Sequence, residues 1–260
     1  MSSTLQGFGI AVTRPLDQAR SLNAAIEQQG GSAISFPLIA IAPLDDYLPF
    51  EQVLDQLEHA DWAIFISTNA VDNAMPRVIK RYNTLPENLK FAAIGHQTAK
   101  ELALYGVHNV LIPHTRFDSE TLLALTEMQS VANATVIIFR GVGGREVLAD
   151  TLKARGAQVI FAESYQRVNP QSNCTALENL WRENKCHAIV VTSSEAMRHL
   201  LQMTNNGTDD WIRAIKICVN HARIAEDASA VGLHVSIADA PGDVAMLACL
   251  QQALCTDSDY

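Results

Sequence analysis

The chain repeats itself at an offset of 126 residues. Gly30 recurs as Gly156 at this spacing, and Gly106 recurs as Gly232. Further identities at the same offset are the pairs Arg14 and Arg140, Ala70 and Ala196, and Ala99 and Ala225. Five pairs at one offset are not expected by chance, and a long internal repeat indicates two copies of one folded module.

Short apolar runs alternate along the chain with segments whose apolar residues recur every three or four positions. The predicted strands are GFGIAVT, WAIFIS, KFAAIG, NVLIP, TVIIFR, QVIFAESY, HAIVVTS, IKICVN and HVSIA. The predicted helices are QARSLNAAIEQQ, HQTAKELALYG, REVLADTLKARG, SSEAMRHLLQM, HARIAEDASAVG and DVAMLACLQQAL. Such alternation predicts an α/β protein with two similar parallel-sheet domains, each sheet covered on both faces. The four repeated glycines stand where a left-handed residue ends a helix.

The composition of the 260 residues, 48% apolar and 18% charged, is that of a globular protein long enough for two cores. No apolar run approaches the roughly 20 residues that a membrane helix needs. The N-terminal run MSSTLQGFGIAVTR has no basic region before an apolar core. We therefore expect a cytoplasmic protein without a membrane segment. The C-terminal run CTDSDY is polar and predicts a frayed end.

The charge and the cysteines exclude other classes of function. A formal charge of −9 argues against a nucleic-acid or anionic-membrane surface, because such surfaces depend on basic patches. It still allows a small anionic ligand held by a local cluster of donors. The five cysteines include no CxxC pair, and their odd number and wide spacing fit neither a disulfide framework nor a zinc site. We expect reduced cysteines and no metal.

Two predicted strands end in clusters of small polar side chains. The clusters are Ser67, Thr68 and Asn69 after the first strand, and Thr192, Ser193 and Ser194 after the second. Ligands of open parallel sheets bind beyond the carboxyl ends of the strands, where helix N-termini supply unpaired N–H groups. The same residue types also cap helices. The repetition of the cluster favours a ligand site, and capping stays open for each residue.

A glycine-rich turn, FRGVGGRE at 139–146, lies between a strand and a helix. A dinucleotide fingerprint needs a third glycine at the sixth position, where this chain has a glutamate, so no Rossmann site is predicted. Gly141, Gly143 and Gly144 are expected to leave backbone amides bare, with Arg140 and Arg145 on either side, which favours looser binding of an anion. The motifs GxxxxGK[ST], HExxH and GxSxG are absent from the sequence.

Three basic residues have two interpretations each. Arg14 and Arg140 follow strands that are expected to be central, where an arginine forms a salt bridge at the rim or holds a ligand. His221 opens a helix and is followed by Arg223. Capping and ligand binding both remain open for this histidine.

Tyr165 lies in a β-like run with Arg167 two positions further on. This spacing predicts that the two side chains point to the same face of one strand. A tyrosine on a strand is usually a packing residue.

Six runs carry a likeness to a known family. They are VTRP at 12–15, FISTNAV at 65–71, AIGHQTAKEL at 93–102, FRGVGGREVLADTL at 139–152, ESYQR at 163–167 and VVTSSEAM at 190–197. In their order and spacing along essentially the whole chain, they resemble the uroporphyrinogen-III synthase family.

The resemblance implies a cofactor-free cyclising lyase of tetrapyrrole biosynthesis. Its substrate would be hydroxymethylbilane, a linear chain of four pyrroles with acetate and propionate arms. The enzyme would close this chain into uroporphyrinogen III and invert the last ring. Loss of the hydroxyl would leave a cationic azafulvene, which the far end attacks through a spiro intermediate before rearrangement. The protein would mainly hold a flexible polyanion in a productive shape, an effect worth roughly 7–11 kcal/mol in favourable cases.

The resemblance also implies an arrangement of domains. Two α/β domains would be joined by a two-stranded linker, with the substrate in a cleft between them. Domain 1 would comprise 1–36 with 169–260, domain 2 would comprise 39–165, and the linker strands would lie near 36–41 and 162–168. The repeat alone is equally consistent with two consecutive domains.

The resemblance gives roles to individual residues. Tyr165 matches a tyrosine that is thought to help the hydroxyl leave by donating a hydrogen bond. Thr98 matches the threonine of an AxGxxTA motif, and Arg145 matches a basic residue of the glycine-rich turn.

The second copy lacks the hydroxyl of Thr98, because the counterpart at the 126-residue offset is Ile224. His221 and Arg223 are candidates to replace it. The residues predicted to bind substrate are Arg14, Ser67, Thr68, Asn69, Thr98, Arg140, Arg145, Thr192, Ser193, Ser194, His221 and Arg223, with Tyr165 predicted to be catalytic.

An alternative from another class is a two-domain module that closes on a small anion without chemistry. The N-terminal sequence, which lacks a secretion signal, counts against it. We expect a monomer, because a cleft within one chain needs no partner subunit. Transient contact with the preceding enzyme of the pathway stays open.

Overall fold

The protein divides into two compact units in the computed structural model, which describes residues 4–255. Unit 1 contains the described residues up to Ala40 together with those from Val168 onward, and unit 2 runs from Ile41 to Arg167. Unit 1 is therefore discontinuous in sequence. Thr256–Tyr260, for which the sequence predicts a frayed end, lies outside the described residues.

The elements alternate between strands and helices along the described chain. The strands are β1 (Gly9–Val12), β2 (Ser32–Ser35), β3 (Ala40–Ala42), β4 (Trp62–Phe65), β5 (Lys90–Ala93), β6 (Val110–Leu111), β7 (Thr135–Gly141), β8 (Gln158–Val168), β9 (Ala188–Val191), β10 (Lys216–Val219) and β11 (Val235–Ile237). The α-helices are α1 (Leu16–Gln28), α2 (Leu48–Leu54), α3 (Thr68–Arg81), α4 (His96–Ala103), α5 (Ser119–Leu123), α6 (Thr126–Gln129), α7 (Val147–Ala154), α8 (Thr175–Arg182), α9 (Ser194–Met203), α10 (Asp210–Ala214), α11 (Ala222–Ala230) and α12 (Asp243–Cys255).

The strand orders of the two sheets are related by the 126-residue offset. The sheet of unit 1 has the order β11-β10-β9-β1-β2, and that of unit 2 has the order β3-β8-β7-β4-β5-β6. The offset places β1 on β7, β2 on β8, and β9, β10 and β11 on β4, β5 and β6. Neighbouring strands pair in parallel throughout the sheet of unit 1 and from β8 to β6 in unit 2. The predicted pair of similar parallel-sheet modules is confirmed.

Each sheet separates two apolar cores. In β7, Ile137 and Phe139 face one core of unit 2 and Val136 and Ile138 face the other, because successive side chains of a strand point to opposite faces. Phe139 stacks on Phe65 of the neighbouring β4 with 4.3 Å between ring centroids. Burial on both faces explains why these strands are continuous apolar runs in the sequence.

The repeated glycines end helices as the sequence predicts. Gly30, Gly106, Gly156 and Gly232 have φ values of 81°, 82°, 87° and 82°. Each follows its helix by two or three residues, in the left-handed region that side chains disfavour.

Two local features differ from the sequence-based expectation. The predicted linker strand near 36–41 forms as a strand only from Ala40, and residues 36–39 belong to no strand. The helix Thr68–Arg81 was not predicted, although it contains five buried residues. Pro76 inside it removes one backbone hydrogen bond, a loss that the apolar contacts of the helix outweigh.

Candidate functional site

The carboxyl ends of two neighbouring strands form a switch point in each unit. In unit 1 the chain leaves β1 towards β2 and leaves β9 towards β10, on opposite sides of the sheet order. In unit 2, β7 and β4 stand in the same relation. A crevice opens where such connections diverge, and open α/β sheets bind ligands there. The strand order therefore places Arg14 beside the cluster at 192–194 and Arg140 beside the cluster at 67–69.

Tyr165 and Ser67 come together at the switch point of unit 2. The Tyr165 hydroxyl lies 3.3 Å from Ser67 Oγ. Ser67 is also the N-cap of α3, where its Oγ accepts a hydrogen bond from the Ala70 amide at 3.1 Å. Two residues that are 98 positions apart in the chain thus form one hydroxyl pair at a helix N-terminus.

A β-bulge sets the direction of Tyr165. Arg140 pairs with Glu163, but Gly141 pairs with Tyr165, so β8 has one extra residue at this point. Tyr165 consequently packs in the same core as Ala162. In a regular strand, two side chains that are three residues apart would point to opposite faces. Arg167, two residues further on, lines a cavity with Phe161. The bulge lies before Tyr165 and leaves the alternation between Tyr165 and Arg167 unchanged, so the prediction that these two side chains point to the same face of the strand stays a prediction.

Gly141 leaves space for the tyrosine ring. A Cβ atom at this position would lie 2.6 Å from Cε2 and 2.7 Å from Cζ of Tyr165. The ring therefore packs directly against the backbone of β7. Tyr165 is only 3% exposed, so its position is fixed by the strand and the core around it.

A cavity of about 380 Å³ lies at the same edge of unit 2. Arg140, Arg145 and Arg167 line it, together with Asp118, Ser119, Phe117 and apolar residues of the sheet. The guanidinium of Arg140 lies 4.6 Å from the ring centroid of Phe161, a favourable cation–π geometry. Three arginines against one carboxylate give this concave surface a positive charge, and guanidinium groups form paired hydrogen bonds with anions.

The glycine-rich turn supports the arginines and has fewer bare amides than predicted. The Gly143 amide donates to Glu163 Oε1 at 3.0 Å, and the Gly143 carbonyl accepts from Arg140 Nη2. The amide of Val142 donates to the Tyr165 carbonyl at 2.8 Å. The predicted bare amide at Gly143 is wrong, because the glutamate of the neighbouring strand already accepts its hydrogen.

The switch point of unit 1 contains a neutralised arginine. Arg14 Nη1 lies 2.5 Å from Asp243 Oδ1, and its Nε donates to Thr192 Oγ1 at 3.3 Å. Burial raises the pKa of Asp243, but hydrogen bonds from Arg14 and Ser21 and the charge of Arg14 outweigh it and leave the pKa below its ordinary value. Arg14 is therefore committed to an ion pair in this structure.

The polar clusters of unit 1 act first as caps. Ser193 Oγ accepts from the Ala196 amide at 3.1 Å, as Ser67 does from Ala70 in unit 2. His221 is the N-cap of α11, and its Nδ1 accepts from the Arg223 amide at 3.2 Å. Ser194 Oγ is buried, and within the described part of the chain it has no hydrogen-bond partner.

The remaining sequence-predicted residues of the helices differ in burial. Thr98 is 6% exposed on the buried side of α4, and its counterpart Ile224 is buried at the same place in α11. Thr68 and Asn69 lie half-buried in the first turn of α3. The substitution of isoleucine for threonine therefore exchanges one packed residue for another.

The structure also identifies site residues that the sequence did not. Arg167 and Phe117 line the cavity, and the offset makes Phe117 the counterpart of Asp243. That exchange of an acid for an aromatic residue was visible in the repeat. The five cysteines are free thiols. Burial raises the pKa of Cys186 to about 11, so it remains protonated and a poor nucleophile at neutral pH.

These features define a class of protein. Two related α/β units each present hydroxyl-capped helices at a switch point, and one of them adds a cavity lined by arginines. Open α/β sheets of this kind bind their ligands beyond the carboxyl ends of the strands. No helix within residues 4–255 is long and apolar enough to cross a membrane.

The family model "Uroporphyrinogen-III synthase HemD" matches residues 20–248. The chain is 32% identical over 246 residues to the uroporphyrinogen-III synthase of Escherichia coli (strain K12), covering 94% of this chain and 100% of that protein. It is 31% identical to the enzyme of that name from Salmonella typhimurium, with the same coverage. The chain belongs to the uroporphyrinogen-III synthase family, and the resemblance inferred from its sequence runs is confirmed.

Solved structures share the fold. A mutant uroporphyrinogen III synthase from the extremely thermophilic bacterium Thermus thermophilus matches with a TM-score of 0.62 at 15% identity, covering 96% of this chain and 99% of that chain. The uroporphyrinogen-III synthetase of Helicobacter pylori 26695 matches with a TM-score of 0.55 at 17% identity and the same coverage. The α/β architecture is therefore that of known members of the family.

Proposed function

We propose that this protein closes hydroxymethylbilane into uroporphyrinogen III, with inversion of the last pyrrole ring and loss of water. It acts as a cyclising lyase in tetrapyrrole biosynthesis. The observation that carries the proposal is the cavity lined by arginines next to the Tyr165–Ser67 pair, in a chain that matches the family over nearly its full length.

The arginines of unit 2 bind carboxylate arms of the substrate. Hydroxymethylbilane carries an acetate and a propionate on each pyrrole, and guanidinium groups bind such groups through paired hydrogen bonds. A volume of about 380 Å³ is at the low end for ligand pockets. The cavity therefore takes one pyrrole with its arms, and other donors hold the rest of the chain.

Those further donors are the polar residues at the strand ends. Ser67, Thr68 and Asn69 open α3, and half-buried side chains there present hydroxyl and amide groups without adding charge. The same role in unit 1 falls to Thr192, Ser193 and Ser194, with His221 and Arg223 as further contacts, and with Arg14 once a substrate carboxylate displaces Asp243 from it. In unit 2, Thr98 is a supporting residue of α4. Uncharged donors suit a substrate that must change shape while it is bound.

Tyr165 assists the departure of the hydroxyl as a hydrogen-bond donor, either directly or through Ser67. Its ring is held between the core of unit 2 and the backbone of Gly141, so the phenol is oriented before substrate binds. The pyrrole nitrogens supply the electrons that expel the hydroxyl, and the protein's contribution is orientation together with one well-placed donor.

The test uses freshly generated hydroxymethylbilane, followed by oxidation and separation of the uroporphyrin isomers. We expect isomer III from the wild-type protein, because spontaneous closure gives isomer I. Production of isomer I alone would favour a binding module without catalysis. Tyr165→Phe is expected to lower the rate of isomer III formation while circular dichroism shows an unchanged fold.

The protein acts as a monomer in the cytoplasm, with transient contact to the enzyme that supplies the bilane. All candidate residues of the proposal belong to one chain, so no second copy is needed to complete the site. Sedimentation velocity over a range of concentrations is expected to give one species of 28.4 kDa, and a stable dimer would contradict this part.

A further inference from the structure

The hydrogen bonds that Ser67 accepts decide whether its own proton can be donated to a ligand. Ser67 Oγ accepts from the Ala70 amide at 3.1 Å and lies 3.3 Å from the Tyr165 hydroxyl. A serine oxygen has two lone pairs and one proton. A phenol is a stronger donor and a weaker acceptor than an aliphatic alcohol, so the favoured direction is from Tyr165 to Ser67. With both lone pairs occupied, the serine hydroxyl is able only to donate.

Burial separates the two members of the pair. Tyr165 is 3% exposed, and a Cβ at Gly141 would collide with its ring, which shows how closely the ring is held. Ser67 is half-buried at the start of α3. The group of the pair that is more accessible to a ligand is therefore the serine.

We propose that Ser67 donates the hydrogen bond to the departing hydroxyl of the substrate and that Tyr165 acts through Ser67. This inference rests on the proposed cyclisation and names the group that touches the leaving oxygen. Ser67 is then a catalytic residue and Tyr165 a positioning residue, whose phenol polarises the serine hydroxyl. Chains of hydrogen bonds strengthen one another in this way.

The step balances in atoms and electrons. The C–O bond of the hydroxymethyl group breaks with its electron pair on oxygen, while the pyrrole nitrogen stabilises the carbon cation. The Ser67 proton completes the leaving water, and the Tyr165 proton replaces it on the serine. The proton that the last pyrrole ring loses when it regains aromaticity restores the phenol.

The equivalent helix cap in unit 1 provides a control variant for effects on folding. Ser193 caps α9 through an identical bond to Ala196 at 3.1 Å, but the counterpart of Tyr165 there is Ile39. We expect Ser67→Ala and Ser193→Ala to lower the thermal midpoint by similar amounts, since each removes a helix cap. Ser67→Gly, which retains more of the cap preference, serves if Ser67→Ala does not fold.

Steady-state kinetics of isomer III formation test whether Tyr165 acts through Ser67. We expect Tyr165→Phe to lower kcat about tenfold and Ser67→Ala to lower it about 100-fold, within the range of general acid catalysis, with KM changed less than about twofold. The double variant should be no slower than Ser67→Ala, because Tyr165 acts only through the serine. Ser67→Thr, which retains a hydroxyl, should recover most of the rate.

Two outcomes would overturn the inference and leave the proposed function intact. One is a Ser67→Ala variant with near wild-type kcat, while the Tyr165→Phe variant is slow. That result would make the tyrosine the direct donor. The other is a double variant whose loss is the product of the two single losses. A wild-type protein that yields only isomer I would overturn the proposed function and this inference with it.

Discussion

The two switch points share a backbone and differ in charge. In unit 1 Arg14 pairs with Asp243 at 2.5 Å and contacts Thr192. In unit 2 Arg140 is held by the carbonyls of Gly141 and Gly143 and by the Phe161 ring, and none of the described carboxylates forms an ion pair with it. The duplicated arginine is thus a structural ion pair in one unit and a source of positive potential in the other.

Three exchanges at the 126-residue offset account for the difference. Unit 2 has Phe117, Gly141 and Tyr165 where unit 1 has Asp243, Pro15 and Ile39. The first exchange removes the acid beside the arginine, the second leaves space for a ring against the strand, and the third supplies the phenol. The two units therefore share a fold but differ in the groups that the proposed function uses, which are present in unit 2.

The largest effect is expected from filling the space beside Gly141 that unit 2 has and unit 1 lacks. Gly141→Ala places a Cβ 2.6 Å from Cε2 of Tyr165 and pushes the phenol from Ser67. Overpacking of this kind costs about 1–3 kcal/mol, and we expect kcat to fall about tenfold, the loss expected for Tyr165→Phe, because misplaced groups are costly in catalysis. Gly106→Ala, strained at φ 82° but with open space around it, is the matched control. Equal loss of kcat in both variants would refute a specific role for the space at Gly141.

The second prediction gives unit 2 the acid of unit 1. Phe117 is 52% exposed, so Phe117→Asp should fold and place a carboxylate in the cavity with Arg140. We expect KM for hydroxymethylbilane to rise about tenfold, a loss of about 1.4 kcal/mol in binding, with a smaller change in kcat. Phe117→Asn removes the same ring without adding charge. A similar rise in KM for both variants would show that the ring matters and the charge does not.

The third prediction removes one exposed charge. Arg145→Gln should raise KM about three- to fivefold, with more effect at low ionic strength, because exposed charges are screened by salt. Lys80→Gln makes the same change in charge elsewhere in unit 2. Lys80 lies in the last turn of α3, at the end opposite to Ser67. We expect this control to retain the wild-type KM. A salt-independent effect at Arg145 would argue against an electrostatic contact.

The smallest effect concerns the ion pair of unit 1. Because the pKa of Asp243 is lowered in the folded protein, its carboxylate stabilises unit 1 above the unfolded value of about 3.9 and loses this contribution as pH falls through the folded value. Asp243→Asn should therefore destabilise α12 at pH 7 by at most about 1 kcal/mol, since the pair is partly exposed. Hydrogen exchange of the α12 amides measures this loss of stability. A difference between wild type and variant that grows towards pH 3 would contradict the predicted direction of the pH dependence.

The sequence predicts what depends on local periodicity. Apolar runs and repeated glycines locate most strands and the helix ends, and the offset reveals the duplication. The pairing of Arg14 with Asp243 spans 229 positions and depends on strand order, which periodicity does not determine. The burial of Tyr165 depends on a bulge between β7 and β8. Helix α3 was missed because Pro76 argues against a helix locally, whereas its buried side chains favour it only in the folded unit.

The central claim is that the switch point of unit 2 is the main binding site for the ligand. Amide NMR tests this claim most directly, during a titration with uroporphyrinogen III that is kept in its reduced form. We predict that the largest shifts fall on residues 66–70 and 140–145, with smaller ones on the counterpart residues 192–196 and 14–19. Shifts confined to the unit 1 residues, with those of unit 2 unchanged at saturation, would contradict it.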